Sequence, residues 1–174
     1  MAVPAHLIDS NILLRISKRD DPDHAVVDAA LGRLADAGAS LCYTHQNIAE
    51  FWNVATRPVD QNGFGLSIGD ADRQIRSFEK GMVLLPDNEA IYYEWRRLLV
   101  THVVSGAKVH DARLVASMKV HRITHLLTLN TSDFARYPAI EAVHPQAFTK
   151  TPNPKDRTSL GAASLTFPPT PWLY

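Results

Sequence analysis

The sequence predicts an α/β fold with a short, mostly parallel central sheet covered by helices on both faces. Three observations carry this. Short apolar runs alternate along the chain with longer stretches whose apolar residues recur at helical spacing. The segments joining successive runs are long enough to be the crossovers that parallel strands need. A chain of 174 residues, 45% hydrophobic and 21% charged, suits one domain with its own core.

The elements follow in order. His6-Leu7-Ile8 reads as a buried strand, and Ile12, Leu13, Leu14 and Ile16 continue it into a short helix. Asp21-Pro22 starts a second helix, whose Val26, Val27, Ala30, Leu31 and Leu34 face one way until Gly38 stops it. Ser40 to Tyr43 is the second strand, and Gln46 to Thr56 is a helix that ends before Pro58. Val59 to Leu66, with Asn62-Gly63 and Gly65, is a loop. Ser67 to Asp70 resembles a capping box and opens a helix to about Lys80. Met82 to Leu85 is the third strand, and Asp87 is expected to cap a helix reaching about Val104. A further helix runs from about Val109 to Val120, His125 to Leu129 is the fourth strand, and a short last one falls near Ala142-Val143. From Thr149 onward five prolines sit among Thr and Ser before an apolar end, Pro171-Trp172-Leu173-Tyr174. Residues 1–148 therefore read as the domain and 149–174 as a Pro-rich extension, expected to be mobile near Pro154 to Ser159 and to dock its aromatic end on its own domain or on a dimer partner, with a tail of no structural role as the alternative.

Eighteen basic residues balance eighteen acidic ones, so no overall field recruits nucleic acid or an anionic membrane, and any such partner meets a local patch. The single cysteine, Cys42, excludes an internal disulfide framework. No apolar stretch approaches the roughly 20 residues that span a bilayer, and the start of the chain lacks a signal-peptide pattern. These features point to a soluble, cytoplasmic protein.

In an open parallel sheet, ligands sit beyond the carboxyl ends of the strands. Acidic residues fall there repeatedly. Asp9 directly follows the first strand, Asp111 lies in the first turn of its helix, and Asp133 comes shortly after the fourth strand. Glu50 shares a helix stripe with Gln46, Asn53 and Arg57, opposite the apolar Ile48, Phe51, Trp52 and Ala55. Taken singly, each has an ordinary role: Asp9 as a helix cap, Asp111 against a helix dipole, Glu50 on a solvated face, Asp133 in a turn. Together, four carboxylates at one edge repel each other unless cations neutralise them. An oxygen-only donor set suits a hard ion, Mg²⁺ or Mn²⁺. Arg15, Arg57 and Arg113 are placed to meet phosphates around such a centre. None of the eight histidines has zinc-motif spacing or belongs to a Ser-His-Asp pattern.

These residues carry a resemblance. The chain resembles the PIN-domain nucleases, and within them the VapC-type toxins of bacterial toxin–antitoxin systems, over about His6 to Phe148. Four motifs in order bear it: Leu7 to Asn11, Asn47 to Pro58, His110 to Ala116, and Leu127 to Phe134. The resemblance implies a PIN-like α/β/α sandwich. It implies that Asp9, Glu50 and Asp111 bind metal and do the chemistry, supported by Ser10, Asn11 and Thr128. Many PIN domains carry an acid where this chain has Asn130, and Asp133 is the nearby acid, so either residue fills the fourth position. The number of ions, one or two, stays open with it. The implied reaction is metal-dependent endoribonuclease cleavage of RNA, in which a divalent ion lowers the pKa of water that attacks the phosphodiester. The 2′-hydroxyl is not needed for that step, so preference for RNA comes from binding. Homodimerisation and a VapB-type antitoxin partner are implied as well.

Three rivals share part of this pattern, the first of them poorly. A receiver-type signalling domain needs an acid pair after the first strand, but Asp9 is followed by Ser10, and no lysine follows the fourth strand closely. A PIN fold acting only as an RNA- or protein-binding module, and a processing nuclease that is not a toxin, share the same sequence pattern.

Overall fold

The computed structural model describes residues 3–149. The expectations for residues 150–174, and with them the role of the extension, fall outside the described residues.

Five short strands form one sheet in the order β3-β2-β1-β4-β5, with every neighbouring pair parallel. They are β1 (His6–Ile8), β2 (Leu41–Thr44), β3 (Val83–Leu85), β4 (His125–Leu127) and β5 (Glu141–Val143). The sheet is thus wholly parallel, where a mostly parallel one was expected; each return to the sheet passes through a crossover, so no strand reverses. Six helices flank it: α1 (Ser10–Ser17), α2 (His24–Asp36), α3 (His45–Thr56), α4 (Ile68–Gly81), α5 (Glu89–Thr101) and α6 (Lys108–Val120).

Strand period two splits the core into two halves. Leu7, Cys42 and Leu126 face one side and pack under α5 and α6, with Ile91, Leu98, Val115 and Met118. Ile8, Leu41 and Leu127 face the other and pack under α1 to α4, with Ile12, Leu13, Val27, Phe51 and Phe78. This gives the expected α/β/α sandwich. Near-continuous apolar strands are what a sheet buried on both faces requires. Cys42 is a buried free thiol, as expected of a small hydrophobe. Trp95 is part of the first core half and donates through Nε1 to the Val109 carbonyl at 2.9 Å.

Three boundaries differ from expectation, the first being α2, which starts at His24 behind Asp23 and not at Asp21-Pro22. The N-cap of α5 is Asn88, whose side chain accepts from Ile91 N at 3.2 Å, and the helix ends at Thr101. Asp87 instead pairs with Arg113 at 2.8 Å and lies 3.6 Å from His45. β4 stops at Leu127 because, although Thr128 N still donates to Val143 O, Leu129 N turns to the Asn11 side chain at 3.2 Å. Among the described residues no helix is long and apolar enough to cross a membrane.

Candidate functional site

The strand order locates the site. From β1 the chain steps outward to β2 and β3, then returns across β1 to place β4 and β5 on its other side. The direction of winding therefore reverses between β1 and β4, and the crevice beyond their carboxyl ends is where such sheets bind ligands. Asp9 and Thr128 are the first residues past those two strands.

Asp9 is the N-cap of α1 and also the most buried acid of the group, at 8% exposure. Its Oδ1 accepts from Ser10 N at 2.7 Å. Its Oδ2 accepts from Thr128 Oγ1 at 2.6 Å and from Asn11 Nδ2 at 2.9 Å. Thr128 Oγ1 in turn accepts from Asn11 Nδ2 and Asn130 N, both at 3.1 Å. The ordinary role and the functional placement thus coincide at Asp9: it caps a helix and faces the crevice. Ser10 turns toward α3, donating to Glu50 Oε2 at 2.5 Å and accepting from Asn47 Nδ2 at 3.1 Å. Glu50 Oε1 accepts from Gln46 Nε2 at 2.8 Å, and the same nitrogen donates to the His110 carbonyl at 3.0 Å, so α3 is tied to the first turn of α6.

Charge coupling joins the acids. Burial pushes the Asp9 carboxyl up to about 6, with Thr128 and Ser10 opposing the rise and Glu50 and Asp111 adding to it. The Asp111 carboxyl is also raised, first by burial, with Asp133 and Glu50 adding and Lys108 opposing. Lys108 lies between two of the acids, with Nζ 2.7 Å from Asp133 and 3.4 Å from Asp111. Its own ammonium is held protonated, first by the bond to Asp133.

The structure therefore brings Asp9, Glu50, Asp111 and Asp133 into one electrostatic neighbourhood, with Ser10, Asn11 and Thr128 bonded into it. Asn130 reaches Thr128 through its backbone N–H; its side chain is exposed. Of the basic residues, Arg15 is paired with Asp21 at 3.4 Å and Asp23 at 4.0 Å. Arg113 is held by Asp87 and by Gln46 Oε1, the latter at 3.1 Å. Arg57 makes no ion pair with any described residue, and its Nε is buried without an acceptor.

Three residues of this neighbourhood were missed from the sequence. Asn47 is wholly buried and closes a capping box with Thr44 while reaching Ser10. Its position three residues after a β2-terminal threonine carried the signal. Gln46 stood on the Glu50 stripe without an assigned role. Lys108, three residues before Asp111, was legible as a helix neighbour of that acid.

The donor set suits a hard divalent ion: carboxylate oxygens only, with Asp9 and Asp111 raised first by burial and then by neighbouring acids, and Lys108 drawn between Asp111 and Asp133. As the side chains stand, no group of three His, Cys, Asp or Glu among the described residues has the spacing to hold an ion. Lys108, paired with both Asp111 and Asp133, neutralises part of their charge.

Solved structures share the fold. A toxin–antitoxin complex from Klebsiella pneumoniae is 20% identical with a TM-score of 0.55, covering 81% of this chain and 98% of that one. VapBC2 from Rickettsia felis, bound to a promoter DNA fragment, is 13% identical with a TM-score of 0.60, covering 80% and 98%. VapC20 of Mycobacterium tuberculosis, described as a Sarcin-Ricin loop cleaving toxin, is 13% identical with a TM-score of 0.54, covering 70% and 87%. No curated protein matches the sequence. The PIN domain profile matches residues 6–140, most of the chain and all four segments that carry the acids, so the chain belongs to the PIN domain family.

Proposed function

We propose that this protein is a metal-dependent endoribonuclease of the VapC type, the toxin of a toxin–antitoxin pair acting in the cytoplasm. The observation that carries the reading is the convergence of Asp9, Glu50 and Asp111 at the β1/β4 switch point, where Ser10 bonds both Asp9 and Glu50 and Gln46 ties Glu50 to the first turn of α6. Asp9, Glu50 and Asp111, with Asp133 beside them, are the residues that would hold Mg²⁺ or Mn²⁺. When bound, the ion supplies a more acidic water and offsets charge on the phosphodiester. The chain's own part is to orient: Thr128 and Asn11 fix one Asp9 oxygen, and Ser10, braced by Asn47, fixes Glu50. Neighbours that are toxin–antitoxin complexes support an antitoxin partner, and homodimerisation belongs to the same reading.

The test is cleavage of cellular RNA by the purified protein with Mg²⁺ or Mn²⁺. Hydrolysis leaves a 5′-phosphate and a 3′-hydroxyl, EDTA stops it, and Asp111→Asn abolishes it. A 2′,3′-cyclic phosphate formed despite EDTA would refute the mechanism. A second reading draws on Lys108, whose bridge between Asp111 and Asp133 suits a catalytically weak module that binds RNA or protein. RNA binding without cleavage at any metal concentration would favour it. A processing nuclease that is not a toxin would cleave RNA without arresting growth when expressed, and would have no antitoxin gene beside its own.

A further inference from the structure

We propose that Arg57, Phe64 and Lys18 form a subsite for single-stranded RNA, away from the carboxylates and outside the bond-breaking centre. The inference rests on the reading of RNA as substrate and names how the strand is held. Arg57 is the C-cap of α3, seven residues after Glu50, so the two fall on one stripe about 10 Å apart along the axis. At the phosphate spacing of a helical strand this is roughly three nucleotides, and fewer for an extended strand.

Among the described residues, Arg57 is the half-buried basic residue with no carboxylate partner. Arg15, Lys108, Arg113 and Lys119 are half-buried too, and each has a carboxylate partner. Burying Nε without an acceptor costs free energy, and such a donor calls for an explanation, commonly an ion or other partner from outside. The terminal nitrogens have no bond to a described residue.

The surrounding loop is built around this arginine. Gly65 N donates to Arg57 O at 2.9 Å, and Phe64 N donates to Val54 O at 3.0 Å. A Cβ on Gly63 would fall 1.9 Å from Arg57 O, so only glycine lets the loop pass there. Phe64, half-buried, is thereby fixed beside the end of α3, and Lys18 Nζ at the end of α1 lies 5.7 Å from its ring centre, in an exposed pair with Asp20 at 3.8 Å that contributes little. Helix α1 meets Glu50 at its start and Phe64 at its end, so the two helices run side by side from the acids to this cluster. A track of basic groups with an aromatic face is how proteins hold single strands: charge takes the phosphates and the ring takes a base. An acidic peptide would use the charges but has no need of the ring.

The test uses the full chain and a fluorescein-labelled single-stranded 12-nucleotide RNA, read by anisotropy in EDTA across salt concentrations and by steady-state cleavage with Mg²⁺. Arg57→Ala is expected to weaken binding roughly tenfold and to flatten the salt dependence by about 0.7 in the log–log slope. Its KM should rise with kcat nearly unchanged, and Arg57→Lys should restore most of the affinity. Phe64→Leu should weaken binding roughly fivefold without changing the salt slope. Should Arg57→Ala fail to fold, Lys18→Ala and Phe64→Leu carry the comparison. If the wild type cleaves RNA while these variants keep its KM and salt slope, the subsite is wrong and the nuclease reading stands. If the wild type neither binds nor cleaves RNA, both fall. Loss of oligoglutamate binding in Arg57→Ala with RNA binding intact would assign the cluster to an acidic peptide and overturn the proposal.

Discussion

At Asp9 a single carboxylate is asked to cap a helix, accept three hydrogen bonds and stay charged while buried beside other acids. The bonds favour the anion, but burial and like charge outweigh them, and its pKa of about 6 lies above the ordinary value of 3.8. A carboxyl raised on folding binds more protons in the native state than in the unfolded one between those two values. Stability from this group is therefore greatest below about pH 4 and declines as pH rises through about 6, by about 3 kcal/mol in all. Asp9→Asn removes the charge at the cost of a donor facing donors. In EDTA it is expected to raise the melting temperature at pH 7.5, with the gain shrinking toward pH 5; a gain independent of pH would refute the cause. Lys108 presents the complementary case. Its ammonium competes with any divalent ion for Asp111 and Asp133, so Lys108→Met should tighten Mn²⁺ binding about fivefold or more by calorimetry. Unchanged affinity would remove Lys108 from the site.

At the scale of elements, the site depends on how α1, α3 and α6 begin. Asn47 does two jobs from the first turn of α3. Its Oδ1 accepts from Thr44 N at 2.9 Å and Thr44 Oγ1 at 2.8 Å, while its Nδ2 holds Ser10. Asn47→Ala empties a wholly buried position and strips both Thr44 donors and Ser10 of a partner. It is expected to cost about 2–3 kcal/mol in chemical denaturation and to lower cleavage more than the stability loss explains. A stable variant with full activity would show that Ser10 and Glu50 need no brace. The element boundaries were largely legible: Ser67 caps α4 by accepting from Asp70 N at 3.1 Å, as its spacing predicts. The cap of α5 was not, because Asp87 and Asn88 are both good caps, and Asp87 was drawn away by Arg113, a partner 26 residues distant.

At the scale of the whole molecule, the described residues form two core halves and a five-stranded sheet. A chain ending at Thr149 is expected to fold cooperatively and to keep the cleavage rate of the full protein. Any fall in its melting temperature would measure docking of the aromatic end, and failure to fold would place residues 150–174 in the core.

What the sequence by itself determined was the alternation of strand and helix, the two-faced apolar strands, and the acids at the strand ends. These are local or periodic properties, and Leu7-Ile8-Asp9 contains all three. Tertiary structure decided which acids meet. Asp9 and Thr128 are 119 residues apart, and their 2.6 Å bond exists because β4 inserts beside β1 rather than beside β3. It also decided which cations are already taken: Arg15, Arg57 and Arg113 look alike in a sequence. Pairing with a distant carboxylate, or the lack of one, is settled only when the chain has packed and each charge has lost part of its water.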